Sequence, residues 1–212
     1  MASTPAFLWD GDRGAALTVV LAHGAGAPMD SPFMAFFAGG LAGRGSRVAR
    51  FEFPYMAERR ASGVRRPPDR APKLIACWRA VIAELGARSL VIGGKSLGGR
   101  MASLVADEAG VRGLLCLGFP FHAPGRPAGA RVDHLATFAT PTLIVQGSRD
   151  PLGARDEVRD TARSAAVRVH WLADGDHGFK PRKASGRTEP ENWAEGLAAA
   201  AGFLDGLGDA VS

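Results

Sequence analysis

Short apolar runs alternate along the chain with longer stretches in which apolar residues recur every three or four positions. The short runs are typical of buried strands, whereas the longer stretches predict amphipathic helices. Strands are predicted at 17–22, 47–53, 89–93, 113–119, 142–146 and 167–171, and helices begin near Ser31, Leu74, Leu97 and Thr188. Buried strands that alternate with helices predict an α/β fold, a mostly parallel sheet with helices on both faces.

Turn and cap residues refine this pattern. Ser31 followed by Pro32 is typical of a helix start, and Thr188 with Glu191 has the spacing of a capping box. A proline- and arginine-rich stretch from Pro54 to about Arg70 is predicted to be a loop, as is the stretch from residue 120 to about 140. No repeat, low-complexity tract or linker divides the chain, so a single domain over residues 1–212 is predicted.

Composition sets the class of protein. The chain has 212 residues, of which 46% are hydrophobic and 22% charged, as in an ordinary soluble domain. No apolar run reaches the roughly 18 residues of a membrane helix, and Asp10, Asp12 and Arg13 interrupt the N-terminal stretch. We therefore expect a cytoplasmic protein without a membrane partner. Cys77 and Cys116 lie in apolar stretches, which favours buried free thiols over a disulfide or a metal site.

Charge adds little about partners. The formal net charge is +5, and arginine supplies almost all of the positive charge. This balance is compatible with an anionic small-molecule substrate and does not by itself indicate nucleic acid. No histidine or cysteine cluster has metal-ligand spacing, so neither a metal nor a cofactor is expected. The sequence does not indicate an oligomeric state.

The stretch GGKSLGGR at 93–100 allows two interpretations. It contains the Gly-Lys-Ser of a phosphate-binding P-loop, but the first glycine of that motif would fall at Ser89, which begins an apolar strand. It also contains Gly-x-Ser-x-Gly, which presents a nucleophilic serine between a strand and a helix. The flanking elements favour this nucleophile elbow, with Ser96 as nucleophile. Gly94 and Gly98 are then expected to relieve crowding around the strained serine.

A serine nucleophile needs a histidine base, and the histidine needs an orienting carboxylate. Asp150 follows the predicted strand 142–146, and His177 follows the strand 167–171, so both fall at the same edge of the sheet as Ser96. Asp174 and Asp176 are competing acids, because they lie close to His177 in sequence. Weaker candidates for the base are His122, His134 and His170.

The oxyanion of an acyl-transfer intermediate needs two backbone N–H donors. One is expected from Leu97, directly after the nucleophile, and the other from Ala25 in the loop after the first buried strand. His23 and Gly24 would shape that turn. The same loop has the first two glycines of a dinucleotide-binding fingerprint, but Met29 occupies the position of the third.

The residues AHGAGAPMD, GGKSLGG, GSRDP and DGDHGFKPRKASGRT together resemble the α/β-hydrolase superfamily, and more closely its small, lid-less branch related to dienelactone hydrolases. The resemblance covers nearly the whole chain and implies an α/β-hydrolase fold of about six or seven strands without a cap domain. It also implies that Ser96, Asp150 and His177 are nucleophile, acid and base. Dienelactone hydrolases proper use cysteine where this chain has Ser96, so that activity is not expected.

These observations predict a serine hydrolase that cleaves a small carboxylic ester or thioester through an acyl-enzyme. An acyltransferase or thioesterase could use the same triad, and a non-catalytic interaction module could keep the same fold. Two questions concern cations near the predicted site. Lys95 either has a structural role beside the elbow or attracts an anionic substrate. The arginine-rich segments 58–70 and 179–187 could form an electropositive rim near the mouth of the site. Alternatively, they are solvated surface charges, or structural arginines paired with Glu52, Glu58 and Glu189.

Overall fold

One seven-stranded sheet organises the protein. The computed structural model describes residues 4–123, 125 and 132–208. The strand order is β1-β3-β2-β4-β5-β6-β7, and only β1 runs antiparallel to its neighbour. The strands are β1 Phe7–Asp10, β2 Thr18–Ala22, β3 Arg47–Phe51, β4 Leu90–Lys95, β5 Gly113–Leu117, β6 Thr142–Gly147 and β7 Val167–Leu172.

Helices cover both faces of this sheet, as the sequence predicts. They are α1 Pro32–Ala42, α2 Pro54–Ser62, α3 Ala71–Leu85, α4 Leu97–Ser103, α5 Ala106–Ala109 and α6 Glu189–Gly208. On one face, Trp78 of α3 and Met101 of α4 belong to the larger apolar core. On the other face, Phe37 of α1 and Leu197 of α6 belong to a second core. Both cores consist of fully or nearly fully buried side chains, which is the main stabilising contribution.

Local sequence signals account for most helix boundaries. Pro32 opens α1, although Ser31 makes no side-chain cap hydrogen bond. The predicted capping box forms at α6, because the Thr188 N–H donates to the Glu191 carboxylate at 2.7 Å and the Glu191 N–H donates back to the Thr188 hydroxyl at 3.4 Å. The capping box therefore fixes where the long final helix begins.

Three parts of the fold differ from the prediction. Residues 54–62, predicted as loop, form α2, because Pro54 suits the first helical turn and Gly63 ends the helix in the left-handed conformation. Strand β1 was not predicted, since its four residues show no buried pattern. The helix predicted to begin near Leu97 is interrupted, because α4 ends at Ser103 and α5 follows after a short break.

The connection between β5 and β6 matters for the site, because it is where a cap would be inserted. It was predicted to be loop, and residues 124 and 126–131 of it lie outside the described residues. Its described part holds one 3-10 turn, Asp133–Thr137, and no inserted cap domain. Within the described ranges, no helix is both long enough and apolar enough to cross a membrane.

Candidate active site

The serine of the predicted elbow lies between β4, a central strand, and α4. Ser96 has φ 49° and ψ −109°, a left-handed conformation that side-chain-bearing residues rarely adopt. Its amide donates to the Leu117 carbonyl of the neighbouring strand at 3.1 Å, which holds the turn in place. Strain of this kind persists only where the surrounding structure enforces it, and here it lifts the hydroxyl out of the sheet edge.

The two glycines of the motif allow close backbone packing against β2. A Cβ atom on Gly94 would lie 2.0 Å from the Ala22 carbonyl oxygen, and one on Gly98 would lie 2.3 Å from the same atom. Gly94 also has φ 140°. The reason for these glycines therefore differs from the one expected from sequence, because the obstacle is the neighbouring strand and not the serine itself.

Ser96, His177 and Asp150 form a continuous chain of hydrogen bonds. The distance from His177 Nε2 to Ser96 Oγ is 2.9 Å, and that from His177 Nδ1 to Asp150 Oδ2 is 2.7 Å. Because a carboxylate only accepts, Nδ1 carries the proton and Nε2 is free to accept the serine proton. The three side chains come from the loops that follow β4, β6 and β7, which end at the same edge of the sheet.

Asp150 is fully buried and has several further partners. Its Oδ1 accepts from the Leu152 N–H at 2.8 Å, and its Oδ2 accepts from Gln146 Nε2 at 3.0 Å. Gln146 is also buried, and its side-chain oxygen accepts from the Phe119 N–H at 2.7 Å. The buried carboxylate is thus held at a defined position toward the histidine, which is what an orienting acid requires.

The competing acids are engaged elsewhere. Asp174 accepts from the Arg182 guanidinium and pairs with Arg149 at 2.8 Å. Asp176 accepts from the backbone N–H groups of Gly178 at 2.7 Å and Lys180 at 3.0 Å, which shapes the turn around the histidine.

The other histidines also have partners away from this chain of hydrogen bonds. His122 faces Glu157, His134 faces Ser103, and His170 faces Glu195. None of these pairs includes Ser96 or Asp150, so the geometry favours His177 as the base.

The loop after β2 runs beside the serine. A Cβ atom on Gly24 would lie 3.8 Å from the Ser96 Cβ. His23 is fully buried, its Nδ1 donates to the Gly24 carbonyl at 2.6 Å, and its Nε2 accepts from the Phe53 N–H at 3.1 Å. Burial lowers the pKa of His23, so the ring is neutral, and its two hydrogen bonds hold the turn in place.

The orientation of this loop bears on the expected oxyanion donors. The Tyr55 hydroxyl donates toward the Gly24 and Ala25 carbonyls at 3.3 and 3.0 Å. In a trans peptide the N–H points opposite to the carbonyl, so the Ala25 N–H points away from His23 and Tyr55. Within the described part of the chain, this N–H has no hydrogen-bond acceptor.

Like the Ala25 amide, the Leu97 amide lacks a hydrogen-bond acceptor among the described residues. Leu97 is the first residue of α4, and the Ser96 carbonyl accepts from the Arg100 N–H at 2.9 Å within the helix. The Leu97 N–H therefore points out of the helix start, where first-turn amides have no intrahelical acceptor. Both amides expected from the sequence are unpaired among the described residues and adjoin the serine.

A cavity of about 530 Å³ opens over these groups. Its wall is mostly apolar, from Phe33, Met34, Leu152 and Trp193, together with the backbone of residues 24–27. Ser96 and His177 line it, and so do two charged side chains, Lys95 and Glu189.

Lys95 lies in the wall of this cavity, beneath the histidine loop. Its Nζ donates to the backbone carbonyl of His177 and lies 5.2 and 5.4 Å from the ring centroids of Phe33 and Phe179. Burial lowers the pKa of Lys95 to about 8, against the weaker opposing effect of Asp150. Lys95 thus has a structural contact and also faces the cavity, so the geometry is compatible with both roles expected from the sequence.

The two arginine-rich segments do not line the cavity. They follow β3 and β7, which four other strands separate in the sheet. Arg60 pairs with Glu52 at 2.7 Å and Arg66 with Glu58 at 2.9 Å, which are two of the pairings expected for structural arginines. Arg59 reaches the cavity rim, where it donates to the Gly26 carbonyl at 3.3 Å.

Sequence reasoning missed several residues that support the site. Tyr55 falls in the segment predicted as loop, and Gln146 was counted only as the end of a strand. The sequence feature that could have drawn attention to Gln146 is its position as a lone amide at the end of an apolar run. Trp193, predicted only as a core position of α6, donates through Nε1 to the Gly178 carbonyl at 3.0 Å and so anchors the histidine loop. Within the described residues, no group of three His, Cys, Asp or Glu side chains is placed to hold a metal ion.

Comparison with known proteins agrees with this fold. Residues 15–205 match the model of a family described as an alpha/beta hydrolase domain. Among solved structures, the chain is similar to dienelactone hydrolase from Anabaena variabilis, with a TM-score of 0.69 and 20% identity over 93% of this chain and 89% of that one. It is also similar to a serine hydrolase without lid from Xanthomonas campestris, with a TM-score of 0.62 and 18% identity over 94% and 96%.

A third similar structure is a bacterial membrane phospholipase A, described as a virulence factor. Its TM-score is 0.69, with 18% identity over 95% of this chain and 82% of that one. At such identities the likeness concerns the fold, and function has to be argued from the site.

Proposed function

The chain belongs to the alpha/beta hydrolase family, and we propose that it is a serine hydrolase that cleaves carboxylic ester or thioester bonds. The observation that carries this proposal is the hydrogen-bond chain from Ser96 through His177 to the buried Asp150, with distances of 2.9 and 2.7 Å. A hydroxyl is a weak nucleophile at neutral pH, and this arrangement provides the base and the orienting carboxylate that activate it.

The first half of the reaction forms an acyl-enzyme. His177 Nε2 takes the Ser96 proton as Oγ attacks the carbonyl carbon, and the carbonyl oxygen becomes an oxyanion. The Ala25 and Leu97 amides bind that oxyanion, because both are unpaired, fixed by their peptide neighbours and adjacent to the serine. His177 then passes the proton to the leaving alcohol or thiol, and the C–O or C–S bond breaks.

The second half releases the acid. Water loses a proton to His177 Nε2 and attacks the acyl carbon, and the same two amides hold the second oxyanion. The Ser96 Oγ leaves with the proton from His177, which restores the starting state. Throughout, Asp150 stays ionised and keeps the proton of the neutral imidazole on Nδ1.

The cavity limits the substrate to a small molecule. Its mostly apolar wall of Phe33, Met34, Leu152 and Trp193 suits an apolar acyl or alcohol group, and the described residues include no inserted cap domain. The similar structures carry different activity names, so they support the fold and leave the particular ester open. An acyltransferase would use the same steps, with an alcohol or amine in place of the water that attacks the acyl-enzyme.

Covalent labelling with a fluorophosphonate probe tests the proposal. Folded protein should take up one label, mass spectrometry should place it on Ser96, and hydrolysis of p-nitrophenyl acetate should stop in proportion. Ser96→Ala should take up no label, whereas Ser148→Ala, a matched loss of a hydroxyl outside this cavity, should label normally. A folded protein that takes no label at Ser96 would refute the proposal.

A further inference from the structure

A second cavity lies beside the ends of β6 and β7 and shares no lining residue with the first. Its volume is about 780 Å³. Arginine dominates its wall, through Arg149, Arg155, Arg159, Arg163 and Arg182. Nothing in the proposed hydrolase reaction uses these side chains.

The cavity carries a surplus of positive charge. Two carboxylates, Asp156 and Asp174, line it together with the five guanidinium groups, so its formal charge is +3. Within the described residues, the Arg155 side chain has no hydrogen bond or ion pair. Arg163 donates to a neutral acceptor, the Val158 carbonyl, at 2.9 Å. Guanidinium groups without carboxylate partners are suited to bind an anion.

The existing ion pairs do not prevent these guanidinium groups from binding an anionic ligand. The pair between Arg159 and Asp156, at 3.0 Å, is highly exposed at both ends, with 71% and 86% of the side chains accessible. Such pairs contribute little to stability, so Arg159 is free to exchange its partner. Asp174, by contrast, fixes Arg149 at 2.8 Å and Arg182 at 3.0 Å on one side of the cavity. Two of the guanidinium groups are thereby pre-organised.

Trp171 adds an aromatic surface to the same wall. Its side chain is half-buried at the end of β7, and it lines the cavity together with the arginines. Aromatic rings beside guanidinium groups are the combination that stacks a base or other planar group while the cations hold phosphates. The volume falls within the range of ordinary small-molecule sites, roughly 300–1,000 Å³.

We propose that this cavity binds a small soluble molecule that carries adjacent phosphate groups. Adjacent phosphates supply the several negative charges that three surplus cations require, and two oxygens of one phosphate match the paired N–H groups of an arginine. A single carboxylate, with one negative charge, would not neutralise the surplus charge of +3. The ligand site is independent of the proposed hydrolase reaction, and its test is a binding measurement.

Calorimetric titration with inorganic tripolyphosphate and with ATP tests the proposal. We expect saturable binding at a single site with both, and tighter binding of ATP because its base contacts Trp171. Trp171→Ala should reduce the advantage of ATP over tripolyphosphate at least threefold. Arg155→Gln/Arg159→Gln should weaken the binding of both compounds at least tenfold.

The matched control is Arg13→Gln/Arg88→Gln, which removes two exposed arginines outside the cavity and lowers the net charge equally. It should change the dissociation constants less than twofold. Equal weakening by both double variants, when circular dichroism shows both folded, would overturn the proposal, as would absence of saturable binding at millimolar ligand. Flotation with vesicles that contain phosphatidic acid separates the membrane alternative. Binding to vesicles without binding to the soluble phosphates would also overturn it.

Discussion

Two cavities at one edge of the sheet both take residues from the loops after β6 and β7, and their chemistry is opposite. After β6, Asp150 is fully buried and faces the histidine, whereas its neighbour Arg149 lines the arginine-rich cavity. After β7, His177 lines the mostly apolar cavity, whereas Asp174 lines the other. Residues one to three positions apart in sequence thus belong to different sites.

The two cavities would stabilise negative charge in different ways. In the proposed reaction, the charge that develops in the apolar cavity would meet two backbone amides and a histidine paired with the buried Asp150, so little reorganisation would be needed. In the arginine-rich cavity the charged groups are largely solvent-exposed cations, such as Arg159 and Arg182, whose attraction for anions is screened by salt. Substituting one residue of each cavity in turn therefore shows whether the two cavities have separate roles.

The largest expected effect comes from the acid. Asp150→Asn should lower kcat for p-nitrophenyl acetate by about 10³–10⁴-fold, because the amide favours the wrong histidine tautomer. Asp174→Asn, in the other cavity, should change kcat less than about tenfold. Steady-state kinetics on both folded variants shows which of the two aspartates supports catalysis. If Asp150→Asn kept near wild-type turnover and Asp174→Asn lost it, the acid would have to be reassigned.

The next effect concerns stability on the catalytic side. Gly98→Ala should lower the free energy of unfolding by about 3 kcal/mol, since the new Cβ would lie 2.3 Å from the Ala22 carbonyl oxygen. Gly202→Ala is the matched control, because Gly202 is exposed in α6 and has nothing within 4 Å of its Cβ position. It should raise stability by about 0.5–1 kcal/mol. Urea denaturation measures both, and equal changes would show that the elbow does not depend on close backbone packing.

A smaller effect tests whether Lys95 gives the apolar cavity a preference for anions. With its pKa lowered to about 8, Lys95 is charged below that pH and loses its charge above it. The ratio of kcat/KM for an anionic ester to that for a neutral ester of equal size should therefore fall up to about tenfold as pH rises through 8. Effects of pH that act equally on both esters cancel in this ratio.

Lys95→Met provides the control for that experiment. Its ratio should start low and stay flat with pH. A uniform loss of kcat/KM for both esters would instead assign Lys95 a structural role, through its hydrogen bond to the His177 carbonyl.

The smallest effect concerns the arginine-rich segments 58–70 and 179–187. Of their cations, Arg59 reaches the rim of the apolar cavity and none lines its wall, so raising the salt concentration from about 0.05 to about 0.5 M should change kcat/KM for anionic and neutral esters by similar factors, within about twofold. A steep fall for the anionic ester alone would restore the electropositive rim as the correct interpretation.

Much of the fold was predictable because buried parallel strands are short apolar runs. All six predicted strands are confirmed, with ends displaced by at most two residues. Helix α2 was missed because its sequence is polar, and tertiary contacts bury only Tyr55 and Met56. Strand β1 was missed because pairing with β3 creates it, and its own residues are half-exposed or exposed.

The sequence alone predicted six of the strands and their order along the chain, the elbow around Ser96 and the candidates for acid and base. It could do so because apolar periodicity, glycine spacing and the position of a residue after a strand are local properties. Only the tertiary structure brought Asp150 and not Asp174 to His177, and placed Tyr55 and Gln146 behind the site. It also gathered the five arginines around one cavity. These outcomes depend on where side chains from distant segments point, which no local pattern in the chain encodes.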